Sequence, residues 1–99
     1  MLARVNRITA PAEFRAVMRK GRKMSSAAFV TYVIKADGVT RAGIVVANSV
    51  AKSAVARNVI KRVLREKLAD FVATRPEGYL VIVRAIPNAT HNPDELKLP

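Results

Sequence analysis

Arg57, Lys61 and Arg65 stand four residues apart, and Asn58 and Arg62 run beside them at the same spacing. On an α-helix, at about 100° per residue, each set forms an i, i+4 ladder, and the two merge into one polar, basic stripe. The chemistry open to such a stripe is recognition of phosphates and base edges, because a guanidinium presents a planar fork of donors where an ammonium is a point charge. Carboxylates that would neutralise it within the helix are nearly missing: Glu66 is the one acid between Asp37 and Asp70. Unpaired cations at this spacing repel by roughly 0.2–0.5 kcal/mol per pair, so the stripe calls for an anion. The competing reading is the solvated outer face of a core helix.

Constellations for acid–base or covalent catalysis are not found. His91 is the single histidine and sits in a short polar tail, where a solvated loop residue is a plainer reading than a general base. Ser25, Ser26, Ser49 and Ser53 have no basic partner at a useful spacing, Lys52 being merely the neighbour of Ser53. The 7 carboxylates are scattered, with only Asp94 and Glu95 adjacent, so no metal-binding cluster is expected. Glycine-rich phosphate loops are absent. Cysteine is absent too, which excludes a disulfide framework, a thiolate nucleophile and Cys-ligated zinc. The expectation is therefore binding without catalytic or metal-ligating residues.

Overall charge agrees. Lys and Arg number 18 against 7 Asp and Glu, a formal charge of +11 in 99 residues, which makes a polyanion the default partner. The hydrophobic share of 51% with 25% charged residues is that of a globular chain, long enough for a single core. No apolar run approaches the roughly 18 residues of a membrane span, and the N-terminal segment lacks the apolar core of a signal peptide, so a cytoplasmic location and no membrane partner are expected. The whole of 1–99 reads as one domain.

The elements that must position the stripe follow in chain order. Residues 1–10 form a basic arm with Arg4 and Arg7, and with Val5 and Ile8 available to pack down. Pro11 suits a first helical turn and Glu13 complements the helix dipole; Phe14, Val17 and Met18 share a face, and Gly21 supplies the stop, so a helix is predicted over 11–20. Arg22 and Lys23 join Arg15, Arg19 and Lys20 in a basic cluster. From Ala28 to Ile34 the run AFVTYVI reads as a strand, with Phe29, Thr31 and Val33 on one face and Val30, Tyr32 and Ile34 on the other. Ala36-Asp37-Gly38 signals a turn and 41–47 a second strand, so these two are expected to pair as a hairpin. Gly43 inside that strand hints at a bulge or at something lying close on the backbone.

The central stretch, Asn48 to Phe71, carries the stripe on one side. On the other, Val59 and Val63, then Ile60, Leu64, Leu68 and Phe71, form an apolar arc wide enough to bury on a sheet. Tyr79 to Ala85 reads as a strand buried on both faces. The tail, 88–99, begins what looks like a helix at Asn92-Pro93-Asp94-Glu95, but stops at Pro99 before one amphipathic turn is complete. Phe14, Phe29 and Tyr32 offer rings on which unpaired bases stack, at about 1–3 kcal/mol per base, core packing being the alternative for each. Rings on a sheet flanked by arginines favour single-stranded nucleic acid.

At this point the residues match a family. RITAPAEFRAVMRKG, AAFVTYVI, RAGIVVANSVAKSAVARNVIKRVLRE and LVIVRAIP, taken in succession, resemble the protein subunit of bacterial ribonuclease P across nearly the whole chain. Arg57-Asn58-Val59-Ile60-Lys61-Arg62 stands where that family has an Arg-Asn-Arg-x-Lys-Arg type run. The resemblance implies an α+β fold: a two-layer α/β sandwich of order α-β-β-β-α-β-α, its last helix truncated here, with a left-handed crossover where the general rule gives a right-handed one. It implies a subunit of an endoribonuclease whose RNA subunit, with Mg²⁺, removes the 5′ leader of precursor tRNA. Lys52, Arg57, Asn58, Lys61, Arg62 and Arg65 would then dock on the catalytic RNA, and Phe14, Met18 and Tyr32 would line a leader cleft. The partners are that RNA and precursor tRNA, with no protein partner required. Val59 replaces the second arginine of the signature, Asn48 stands where a lysine is common, and Met18 where an aromatic is common. A stand-alone ribosomal protein or RNA chaperone would share the charge and the rings, and a membrane-surface helix is disfavoured because the sheet needs its apolar arc.

Overall fold

The computed structural model describes residues 3–87, 91 and 96–98. A short 3₁₀ turn at Arg4–Asn6 leads into helix α1, Pro11–Lys20, then strands β1 (Arg22–Ser25), β2 (Phe29–Val39) and β3 (Arg41–Val45), helix α2 (Ala54–Thr74) and strand β4 (Glu77–Ala85). The first helix has the predicted limits, Pro11 opening it and Glu13 in its first turn. Gly21 does end it, donating its N–H to the Val17 carbonyl, but with φ −72° and ψ 154° rather than in a left-handed turn. Glycine is needed there for space: a Cβ would lie 2.5 Å from the Val17 oxygen and 3.2 Å from the Val33 nitrogen. The truncated helix expected at 92–95 lies outside the described residues.

The sheet runs β1-β2-β4-β3. This corrects the hairpin expected between 28–34 and 41–47, because β4 lies between those two strands, antiparallel to β2 and parallel to β3. Burial outweighs the local turn signal. Val81, Ile82 and Val83 are each 0% exposed, and only a central strand, with ladders on both edges and a layer on each face, can bury such a run. Ala36-Asp37-Gly38 becomes a register irregularity within β2, between Lys35 and Val39, with Gly38 at φ 92°. The basic cluster also hides β1, whose Arg22, Lys23, Met24 and Ser25 pair with Val33, Tyr32, Thr31 and Val30.

Alternation along the strands divides two cores. Phe29, Val33, Val81, Val83 and Ala85 meet Leu64, Leu68 and Phe71 of α2. On the opposite face, Ile82 packs with Val17 of α1 and Ile8 of the arm, and Phe14, Met18, Tyr32, Ile34, Val45 and Leu80 close around them. The predicted faces of β2 are those observed. In α2 the buried residues fall at i, i+4 and i+7, and this narrows the expected arc: Val59 points away from the sheet and is 45% exposed. Within the core, Thr31 and Thr40 each bury a hydroxyl with no hydrogen-bond partner among the described residues.

Three contacts fix α1 and the arm against the β3 edge. Ile8 donates its N–H to the Ala42 carbonyl at 2.9 Å, and Asn6 donates its side-chain amide to the Thr40 carbonyl at 2.8 Å. Arg41 grips Glu13 through both guanidinium nitrogens. The hydrogen bond to Glu13 holds the Arg41 guanidinium above the usual arginine value, against the opposing effect of burial and with a lesser contribution from the Glu13 charge. Such a shift stabilises at every pH below the ordinary arginine value and is lost only above it, so this pair adds no pH dependence through Arg41 in the working range. With each side chain about one third exposed, the pair is worth about 1 kcal/mol or less. Finally, the Phe14 ring lies flush on Gly43, where an added Cβ would sit 2.6 Å from two ring carbons; the glycine marked a close approach, as its position in a strand suggested.

Gly43→Ala is expected to lower the unfolding free energy by about 1–3 kcal/mol, through displacement of the Phe14 ring. Thr31→Val, which removes an unpaired buried hydroxyl without changing volume much, should raise stability by about 1 kcal/mol. Urea titrations of the two variants check both signs.

Candidate nucleic-acid interface

Ser53 opens α2, its hydroxyl accepting the Ala56 N–H at 3.0 Å. The helix therefore starts at Ala54, and Asn48 to Lys52 form the loop before it. Arg57 ties that loop down, since one guanidinium nitrogen donates to the carbonyls of Ala51 at 2.8 Å and Lys52 at 3.1 Å. Arg57 thus holds the backbone that carries Lys52, while Lys52 itself is exposed.

The single stripe read from the spacing divides in two. Asn58, Arg62 and Arg65 are exposed, and they share the outer face of the helix with Val55, Val59 and Glu66. Val59, expected in the apolar arc, belongs to this face instead. Lys61 is half-buried and turns toward α1. There it joins Arg65, Arg7 and Phe14 around a hollow of about 160 Å³ floored by Gly43. A wider groove of about 480 Å³, with Thr9, Pro11, Arg15 and Val45 on its walls, shares Phe14 and Lys61 with that hollow. Lys61 and Arg65, two of the residues expected to dock on RNA, therefore border one continuous depression with Phe14, a ring expected to stack on a leader.

Tyr32 and Met18 lie on the same side of the sheet as Phe14, both half-buried. Tyr32 pairs with Ile82, and Ile82 with Gly43, on which the Phe14 ring rests. Two strand spacings put Tyr32 and Gly43 about 10 Å apart at the backbone. Phe29 is different. It faces α2, is 2% exposed and meets the His91 ring at 5.6 Å, so it is a core residue. His91 approaches the Ile86 carbonyl through Nε2 at 2.8 Å. Among the described residues no group of three or more His, Cys, Asp or Glu is placed to hold a metal ion.

Arg84 was not singled out for this surface by sequence reasoning. Arg7 was read only as part of the basic arm, and the bridge between it and Ala42 brings it to the hollow. Arg84 left a signal, as the one charged residue in YLVIVRA.

Comparison with known proteins is decisive here: the family model described as Ribonuclease P matches residues 2–98. The chain belongs to the ribonuclease P protein family. The ribonuclease P protein component of Kocuria rhizophila is 40% identical over 98 residues, covering 97% of this chain and 86% of that one. The component from Streptomyces avermitilis is 38% identical, covering 90% and 80%. Among solved structures, a Staphylococcus aureus RNase P protein superposes with TM-score 0.70 at 31% identity, covering 82% of this chain and 74% of that one. A Thermotoga maritima RNase P protein does so with TM-score 0.68 at 27% identity, covering 81% and 73%. The α+β class read from the sequence stands. No helix among the described residues is long and apolar enough to cross a membrane.

The division of the stripe predicts unequal roles for its arginines. Arg57→Met removes two bonds to loop carbonyls and should cost about 1 kcal/mol of stability. Arg62→Met, on the exposed face, should change stability by less than about 0.5 kcal/mol. Thermal melts of the two variants check the contrast.

Proposed function

We propose that this chain binds a catalytic ribonuclease P RNA through Lys52, Asn58, Arg62 and Arg65, the loop being held by Arg57, and receives the 5′ leader of precursor tRNA in the depression at Phe14, Met18 and Tyr32. The observation that carries this reading is the shared wall: Phe14 and Lys61 border both the hollow and the groove, so a ring for a base and a cation for a phosphate stand side by side. Single-stranded RNA asks for that pairing. The reaction assisted is hydrolysis of one phosphodiester, leaving a 5′-phosphate on the mature tRNA and a 3′-hydroxyl on the leader.

The protein's part is electrostatic. Both RNAs are polyanions, and a surface that neutralises phosphates of each lets them approach. Mg²⁺ belongs to the RNA in this scheme, because the donor set of the chain does not suit it. A hard cation wants several oxygen ligands, whereas the depression is lined by Arg7, Lys61 and Arg65, and Glu13 is held by Arg41. A cytoplasmic location follows from the same reading.

Reconstitution with a bacterial ribonuclease P RNA at low Mg²⁺ tests it. The protein should restore 5′ maturation of precursor tRNA and cleave nothing by itself; specific maturation by protein alone, or equal binding to any RNA with no stimulation, would sink the reading. In the holoenzyme Phe14→Ala and Tyr32→Leu should each weaken precursor tRNA by about 1–3 kcal/mol and leave mature tRNA unchanged. A lowered melting point with an unchanged affinity ratio would make the rings packing residues.

A further inference from the structure

The outer face of α2 carries two features for which a surface built only to neutralise phosphates has no use. Val55 and Val59, one turn apart, are 74% and 45% exposed, and Glu66 sets an exposed carboxylate among the cations. All three border a hollow of about 600 Å³ together with Asn58, Arg62 and Arg65. Arg62 stands four residues before Glu66, a spacing at which opposite charges on a helix can meet. They do not meet here, and Glu66 has no hydrogen-bond or ion-pair partner among the described residues. A bare carboxylate on a face that meets RNA repels phosphates, so its presence there calls for a donor on the RNA.

The order of these groups along the helix matches one base. Val59 and Glu66 are seven residues apart and nearly in line, about 10 Å along the axis. Helical side chains tilt toward the N-terminus, which brings the carboxylate back over Arg62 toward the valine. A base laid on Val55 and Val59 then has a guanidinium beside it and a carboxylate at its edge. A carboxylate only accepts hydrogen bonds, and a guanidinium only donates them. Guanine alone has two donor atoms side by side, N1 and the N2 amine, next to two acceptors, O6 and N7. Adenine, cytosine and uracil have no such adjacent pair of donors.

We propose that the hollow on the outer face of α2 seats one unpaired guanine of an RNA, its plane on Val55 and Val59, its N1–H and N2 amine donating to Glu66, and its O6 or N7 accepting from Arg62. This rests on the docking of that face on RNA proposed above and adds base selection to it. Asn58 and Arg65, which also line the hollow, are left for the flanking sugar and phosphate. Phosphate contacts set register and affinity, whereas a base contact selects sequence.

Binding of the full chain to three single-stranded pentanucleotides tests the inference, the oligomers differing only in a central guanine, hypoxanthine or adenine between uridines. Hypoxanthine is guanine without the N2 amine. The parent chain should bind the guanine oligomer roughly tenfold more tightly than either of the others, and Glu66→Gln should erase that difference at an unchanged melting point. The sign of the effect is diagnostic. If Glu66 is only a surface charge, Glu66→Gln removes a repulsion and tightens all three oligomers alike; that result, or equal affinities in the parent, would overturn the proposal. Guanosine monophosphate supplies the base without a chain. Glu66-dependent binding of it as tight as that of the guanine oligomer would make the hollow a free-nucleotide site and overturn the proposal equally. Stimulation of precursor tRNA cleavage by the parent chain with a bacterial ribonuclease P RNA is measured in parallel, so a missing guanine preference beside normal stimulation sinks this inference and leaves the functional reading standing.

Discussion

The need to bury Val81, Ile82 and Val83 on both faces governs this fold. A strand that must lie in the middle has to separate two others, and here it separates β2 from β3, which follow one another in the chain. The connection between parallel β3 and β4 must then cross a face of the sheet, and α2 is that connection. Leu64, Leu68 and Phe71 press its lower side against the strands, so the arginines above them are presented on a rigid support. The basic surface of α2 is in this sense a by-product of where one apolar strand had to go.

Charge is placed with equal economy of partners. Most of the cations face solvent, spread over the arm, α1, the strands β1, β2 and β4, the loop before α2, and α2 itself. One carboxylate, Glu13, is spent within the protein on Arg41 and joins α1 to β3. Arg57 satisfies carbonyls of the preceding loop, and Arg75 lies over the Phe71 ring, 5.2 Å from its centre. The excess of cations over carboxylates leaves a positive potential, and self-repulsion among like charges is what a polyanion relieves.

Local patterns were legible in the sequence, and non-local pairings were not. Helix α1 is set by Pro11, Glu13 and the spacing of Phe14, Val17 and Met18, all within one segment, and its limits were read correctly. The same holds for the alternation of β2 and the burial of β4. Strand order failed because Ala36-Asp37-Gly38 is a sound local turn signal, and nothing nearby reveals that a segment forty residues later on will intervene. Val59 was misplaced because a helical wheel gives relative angles and leaves open which direction meets the sheet; Leu64, Leu68 and Phe71 decided that. The bonds of Arg57 to Ala51 and Lys52 were not legible, because they depend on a loop conformation that no spacing encodes. Gly43 was the better guide, since a glycine in a strand is costly unless something occupies the space of its missing side chain.

The two tyrosines sit in unlike places, and the chain has no tryptophan. Tyr79 stands edge-on to Phe71, ring centres 5.8 Å apart, on the α2 side of the sheet. Tyr32 is half-buried on the opposite side, that of α1. Both phenols absorb near-ultraviolet light at the same wavelengths, with no indole signal to mask them, so replacing Tyr79 by Phe leaves Tyr32 as the one tyrosine signal. Whatever then stacks on the α1 side of the sheet would be read from that single ring.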